Sequence, residues 1–317
     1  MTGDVLVLRA LGLGDALAGV AALRGVRRAW PGRRIVLAAP AGVGGWLRDL
    51  GVVDDVLATA GLEPLAWEGT GHVAVNLHGR GPESHRLLQA TRPERLVAFA
   101  SAEAGHEGPT WRPDEHEVAR WCRLVTDAGG ECGPEDLRLA DPEDAGRSDD
   151  VVLHPGAASG SRRWPLDRWA GLAEHLVGRG LPVVLTGGPE EEVLCDAVVR
   201  SVERAVGGRG DVTGTIKSTA GSLDLAGLAE VVARARLVVC GDTGVAHVAT
   251  AFGTPSVLLF GPTPPRWWGP AIDVDRHTVL RPGPDDHMGD PHGTEVDEAL
   301  AAITLEDVLT ATSTHLG

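Results

Sequence analysis

Tyrosine is absent from the 317 residues, and Lys217 is the single lysine. Ile216, not glycine, precedes that lysine, so there is no G-x-x-x-x-G-K-[ST] loop and a P-loop ATPase is excluded. No G-x-S-x-G elbow is present, which excludes an ordinary α/β-hydrolase. The four cysteines (Cys122, Cys132, Cys195, Cys240) form no C-x-x-C pair, and no His/Cys cluster has zinc spacing. They read as free thiols of a reducing compartment. No apolar run reaches the roughly 20 residues of a membrane span, and the opening MTGDVLVLRALGLGD lacks a signal-peptide pattern. These features predict a cytoplasmic protein without a transmembrane segment and leave peripheral membrane contact open. Basic residues number 29 against 44 acidic, a formal charge of −15, which argues against a nucleic-acid partner. The excess of arginine, alanine and glycine reads as GC-rich coding.

What is present is a repeated pattern. Residues 4–9 (DVLVLR) and 150–154 (DVVLH) are short apolar runs, each leading into a small-residue turn, then a helical periodicity, then a second apolar run. The helices are expected from Ala16 to Ala29 and from Leu166 to Val177, and the second strands at 34–39 and 182–188. Two β-turn-α-β starts predict an α/β protein with two Rossmann-like, parallel-sheet domains. The acidic, proline-containing segment 141–150 reads as the linker. The domains are accordingly expected at 1–145 and 146–317, with the final helix, from about Leu305, free to pack back on the first. Further strands are expected at 73–79, 95–101, 237–242 and 255–261, helices at 114–128, 225–235 and 244–253, and a loop at 281–297.

Three segments carry chemistry. Gly12-Leu13-Gly14-Asp15 follows the first strand. A dinucleotide fingerprint would need glycine at position 17, which is leucine, and an acid after the second strand, where Ala38 and Ala39 stand. What remains is an aspartate at the C-terminal edge of a parallel sheet, as an active-site carboxylate or as a helix N-cap. The second segment runs from His154 to Pro165. Its small residues, Ser159 among them, let backbone N–H groups approach an anion, and Arg162 and Arg163 add charge. Pro165 suits the first position of a helix. The third, Cys240 to His247, leaves a strand and enters a helix at Thr243-Gly244, whose orphan N–H groups and dipole favour a diphosphate. His247 is either near that ligand or a core histidine bonded to backbone. Two anion loops in one half and an acid in the other imply a ligand spanning the gap between domains.

Three ordered motifs resemble those of the heptosyltransferase-like glycosyltransferase family 9. The first is Arg9-Ala10-Leu11-Gly12-Leu13-Gly14-Asp15, with Leu11 where the family has serine. The second is His154-Pro155-Gly156-Ala157 through Arg162-Arg163-Trp164-Pro165. The third is Asp242-Thr243-Gly244, His247, Gly253 and Pro255, followed by Phe260-Gly261-Pro262. Thr186-Gly187-Gly188-Pro189 matches as well. The resemblance implies a GT-B fold whose two parallel sheets face a cleft, and inverting, metal-independent transfer of a sugar from a nucleotide-diphosphate donor, commonly ADP-heptose. The acceptor would be a glycan, a lipid-linked precursor or a metabolite. Asp15 would be the general base. Ser159, Arg162, Arg163, Thr186, Gly187, Asp242, Thr243, Gly244 and His247 would hold the donor, with neither cofactor nor metal. Gly14, Asn76, His78 and Arg80 would lie on the acceptor side. Two other readings remain open: a GT-B-shaped sugar-nucleotide epimerase and a non-catalytic nucleotide-sugar-binding protein.

Overall fold

The computed structural model describes residues 3–139, 146–207 and 213–317. The chain forms two compact units, Met1–Leu139 and Ala140–Gly317. Of the expected linker, residues 141–145 lie outside the described residues. Residues 146–150 join the second unit, where the Ser148 N–H donates to the Arg234 carbonyl at 2.7 Å.

The first unit runs β1 (Val5–Leu8), α1 (Leu13–Ala18), α2 (Val20–Ala29), β2 (Ile35–Ala39), α3 (Ala41–Asp49), β3 (Asp55–Ala58), β4 (Val73–Asn76), α4 (Glu83–Ala90), β5 (Arg95–Val97) and α5 (Glu117–Asp127). Its sheet is ordered β3-β2-β1-β4-β5, with every pairing parallel. All four residues of β1 are buried, which is why that strand reads as an unbroken apolar run. The helix expected from Ala16 to Ala29 is instead two helices that meet at Gly19. A β-carbon there would stand 2.7 Å from Cδ of Arg9, so only glycine lets that side chain pass beneath the turn.

The second unit runs β6 (Val151–His154), α6 (Leu166–Gly178), β7 (Val183–Leu185), α7 (Glu192–Val206), β8 (Ile216–Ser218), α8 (Leu225–Arg234), β9 (Leu237–Gly241), α9 (Gly244–Ala251), β10 (Ser256–Leu259), α10 (Pro265–Trp268), β11 (His277–Leu280), α11 (Glu298–Ala302) and α12 (Leu305–Leu316). Its sheet is ordered β11-β10-β9-β6-β7-β8, again all parallel. Pro165 is the N-cap of α6 with extended ψ, and the helix proper begins at Leu166. The final helix, which the sequence left free to pack elsewhere, lies against α6 and β9–β11. It adds Val308, Ala311 and Leu316 to the core of its own unit.

In both sheets the first strand is central. The chain works outward on one side and then crosses to the other. The reversal lies between β1 and β4 in the first unit and between β6 and β9 in the second. The loops beyond the C-terminal ends of those strand pairs stand where an open α/β sheet ordinarily forms its ligand crevice.

Candidate active site

In the first unit, Arg9 organises the reversal point. It follows four buried apolar residues and is itself only 1% exposed. Its guanidinium donates to the Asp15 and Leu77 carbonyls and to Glu117 Oε1, the last at 3.4 Å, and stacks over Trp121 at 5.1 Å. Glu117 also accepts from Trp121 Nε1 at 2.6 Å and from Arg120. One buried cation thus joins the β1–α1 turn, the segment after β4 and helix α5.

Asp15 is not an N-cap: Gly12 holds that place, and Asp15 is the third residue of α1. Its carboxylate is about a third exposed, and its Oδ1 lies 3.9 Å from Arg9 Nη2. His78 follows the neighbouring strand β4 and is tied to the segment after β1, since the Ala10 N–H donates to His78 Nδ1 at 3.2 Å. An imidazole that accepts at Nδ1 is neutral with its proton on Nε2. Burial, together with the positive Arg9, holds the His78 pKa below the usual histidine value.

Asn76, expected on the acceptor side, is fully buried. Its amide donates to the Gly79 carbonyl (3.2 Å), Ser84 Oγ (2.9 Å) and His85 Nδ1 (3.1 Å), and its Oδ1 accepts from the His78 N–H at 3.0 Å. Its capacity is spent on shaping the loop that presents His78, so it supports the site and does not face it. Gly14 lies in the first turn of α1, and Arg80 is exposed.

In the second unit, the loops after β6 and β9 meet at Arg162. Its Nη1 donates to the Asp242 carbonyl at 3.3 Å, and its Nε to Ser159 Oγ at 3.2 Å. Thr243 is the N-cap of α9, yet its side chain takes no helix N–H. The Thr243 side chain therefore caps none of the first-turn donors of α9, of which the Ala246 N–H donates to the Thr243 carbonyl at 3.1 Å. His247, half-buried one turn on, meets Trp268 edge-to-face at 6.0 Å. Arg163 turns aside: its Nε donates to the Ala157 carbonyl at 2.9 Å, which braces the small-residue loop.

Thr186 is completely buried, its hydroxyl 3.0 Å from His154 Nδ1. Gly187 follows, its carbonyl accepting from the Gly221 N–H at 3.0 Å. These two residues line up the floor at the end of β7 and are not brought to Arg162 by any direct bond. Burial lowers the His154 pKa, although Glu191 Oε2 stands 4.0 Å from its Nε2.

Sequence reasoning passed over three contributors. Glu117 lies 108 positions from Arg9, and nothing local betrays that pairing. Glu191 accepts from the Gly188 N–H at 2.8 Å beside His154, a local contact that an acid three residues after a glycine hints at. The loop expected at 281–297 proves to be a latch. Ser159 Oγ donates to the Pro291 carbonyl at 2.6 Å, and the Ser161 N–H to the Gly293 carbonyl at 3.0 Å. A β-carbon at Gly160 would come within 1.8 Å of the Thr294 oxygen, so glycine is required for this approach. Among the described residues no group of three or more His, Cys, Asp or Glu is arranged around a metal position, and no helix is long and apolar enough to cross a membrane.

Comparison with known proteins agrees with this architecture. Lipopolysaccharide heptosyltransferase 1 of Pseudomonas aeruginosa is 37% identical over 142 residues, 44% of this chain and 36% of that protein. The chain spans about a third of the length of the first curated relatives that it matches. Among solved structures, a family 9 glycosyl transferase from Veillonella parvula superposes with a TM-score of 0.78 at 20% identity, covering 99% of this chain and 97% of that one. The ADP-heptose lipopolysaccharide heptosyltransferase II of Escherichia coli gives 0.74 at 20% identity, covering 99% and 98%. The fold is GT-B, two parallel-sheet α/β domains. The model of the family described as "Glycosyltransferase family 9 (heptosyltransferase)" matches residues 111–292, more than half of the sequence, and the chain belongs to glycosyltransferase family 9.

Proposed function

We propose that this chain transfers a heptose from an ADP-linked donor to an acceptor hydroxyl, with inversion at the anomeric carbon and without a metal. The Arg162 junction supports this reading most directly. One guanidinium ties the loop after β6 to the Asp242 carbonyl at the reversal point of the sheet, beside the uncapped start of α9. Fixed N–H donors and a guanidinium at one sheet edge suit a diphosphate. They act most strongly on the charge that develops as a leaving group departs. The similarity to named heptosyltransferases supports heptose and ADP as the donor's parts.

Asp15 is the base in this scheme. Its carboxylate removes the acceptor's hydroxyl proton while that oxygen attacks the anomeric carbon. The bond from that carbon to the β-phosphate oxygen breaks, and ADP leaves with the electron pair. A positioned base contributes about 10²–10⁴-fold. Neutral His78, with its proton on Nε2, offers a hydrogen-bond donor in the same crevice. Ser159, Arg162, Asp242, Thr243, Gly244 and His247 form the donor side, with Arg163, Thr186 and Gly187 shaping its loops. The acceptor is an alcohol on a glycan, a lipid-linked precursor or a metabolite.

Acceptor dependence is the test. ADP-heptose is incubated with the protein alone and with a panel of glycosyl acceptors, while ADP release and donor stereochemistry are followed. The expected result is ADP release that requires an acceptor. Conversion of the donor to an epimer without acceptor would replace this reading with epimerisation, and donor binding with no conversion under any acceptor would leave a binding protein.

A further inference from the structure

The first unit carries a second reactive feature, unconnected with sugar transfer. Cys122 lies on α5, and Cys132 in the segment that follows it. The Cys132 S–H donates to the Cys122 carbonyl oxygen at 3.8 Å, and each thiol shifts the other's pKa, Cys122 upward and Cys132 downward. Both line one surface pocket of about 450 Å3, with Arg123, Thr126, Asp127 and Pro134 on its walls. Cys132 is partly exposed there and Cys122 nearly buried behind it. The other two cysteines, Cys195 and Cys240, are each fully buried in the second unit.

We propose that Cys122 and Cys132 form a dithiol site that a low-molecular-weight disulfide oxidises to an intramolecular disulfide. The geometry sets the order of events. Cys132 is the partly open thiol, and Cys122, Thr126 and the Arg28 charge hold its pKa below the usual thiol value against the opposing effects of burial and Asp136. Cys122 is held as the thiol. The Cys132 thiolate attacks one sulfur of the reagent, forming a mixed disulfide and expelling one thiolate. Cys122 then loses its proton to solvent and attacks the Cys132 sulfur. The protein S–S bond forms and the second thiolate leaves. Two protein thiols are oxidised by two electrons, and the reagent is reduced to two thiols. The resolving cysteine lines the same pocket as the attacking one, so the mixed disulfide is short-lived.

The test treats the whole protein with oxidised glutathione, quenches exchange with acid, alkylates the remaining thiols under denaturing conditions, and maps the peptides. The expected result is a Cys122–Cys132 linked peptide, with Cys195 and Cys240 alkylated and the intact mass lower by two hydrogens. Cys122→Ser should instead trap a stable glutathione adduct on Cys132, and Cys132→Ser should leave residue 122 unmodified on the same timescale. Four alkylated thiols after full treatment, or a lasting adduct on Cys132 of the unaltered protein, would overturn the proposal. The mapping of the unaltered protein decides the question even if neither variant folds.

Discussion

Arg9 Nη2 stands 3.9 Å from Asp15 Oδ1 and 3.4 Å from Glu117 Oε1, so one buried cation touches the proposed base and the acid that anchors α5. Removing the charge takes one of three partners from Glu117, which is only 7% exposed, and removes the donor to the buried Leu77 carbonyl. Arg9→Met should therefore destabilise the first unit by about 1–3 kcal/mol, the usual cost of an unsatisfied buried polar group. Arg9→Lys keeps the charge but cannot reach the Leu77 and Asp15 carbonyls and Glu117 together. It should fold with a lower melting temperature and reduced turnover, while affinity for ADP stays as it was. Melting curves and a titration with ADP separate the two effects. A lysine variant with full turnover would show that Arg9 does not position Asp15.

Asp15 itself has a simpler signature. Asp15→Asn preserves shape and removes the base, so kcat should fall by about 10²–10⁴-fold. The donor's Kd should be unchanged, because the donor side is built in the other unit. Equal loss of donor binding would mean that Asp15 acts on the nucleotide sugar.

Much of this frame was legible in the sequence, and the reasons are physical. The strands β1, β6 and β9 are buried along their whole length, so their apolar runs stand out. The edge strands β3, β8 and β11 are partly exposed and carry no such run. Helix α3 contains three glycines, and helix α7 buries only Cys195, Val198 and Val202 among charged neighbours. Weak helix propensity hides the first, and a narrow apolar stripe the second. The loops after β6 and β9 stood out as candidate anion sites because glycine and arginine at a strand end have few other uses. Asn76, the polar end of the apolar strand β4, looks open to a ligand in the sequence, whereas its four partners lie two to nine residues further along the chain.

The donor side makes a separable prediction. Arg162 bridges Ser159 and Asp242, and on the proposed reading also meets phosphate oxygen. A hydrogen bond to a charged group contributes about 1.5–3 kcal/mol, so Arg162→Ala should weaken ADP binding by roughly 10- to 150-fold. Arg162→Lys should recover part of that loss. Calorimetry with ADP reads this directly, and an alanine variant that binds ADP normally would remove Arg162 from the donor site.

The latch over that loop can be broken at one atom. Gly160→Ala places a carbon 1.8 Å from the Thr294 oxygen, a clash with backbone that only displacement relieves, at about 1–3 kcal/mol. The Pro291 and Gly293 carbonyls should then separate from Ser159 and Ser161. Limited proteolysis within 281–297 should speed up, and ADP affinity should fall without any change to a residue proposed to touch the ligand. Unchanged cleavage would show that the loop is held elsewhere.

His277 should set part of the acid limit of the second unit. It is 7% exposed with Nδ1 2.8 Å from Ser256 Oγ, and burial pushes its pKa down to about 4 from an ordinary 6.5. The unfolded chain therefore binds the proton more readily than the folded one. The stability that neutral His277 confers is complete above pH 6.5 and drains away as the pH falls toward 4, by about 3 kcal/mol in total. His154 and His315 of the same unit are shifted in the same direction, also chiefly by burial, so the slope is shared; His72, His78 and His85 act likewise in the first unit. His277→Asn keeps a polar partner for Ser256 and cannot take up a proton in this range. It should melt at a lower temperature near neutrality and lose less stability between pH 6.5 and 4 than the unaltered protein does. Parallel pH profiles for the two would mean that the acid sensitivity comes from the other histidines alone.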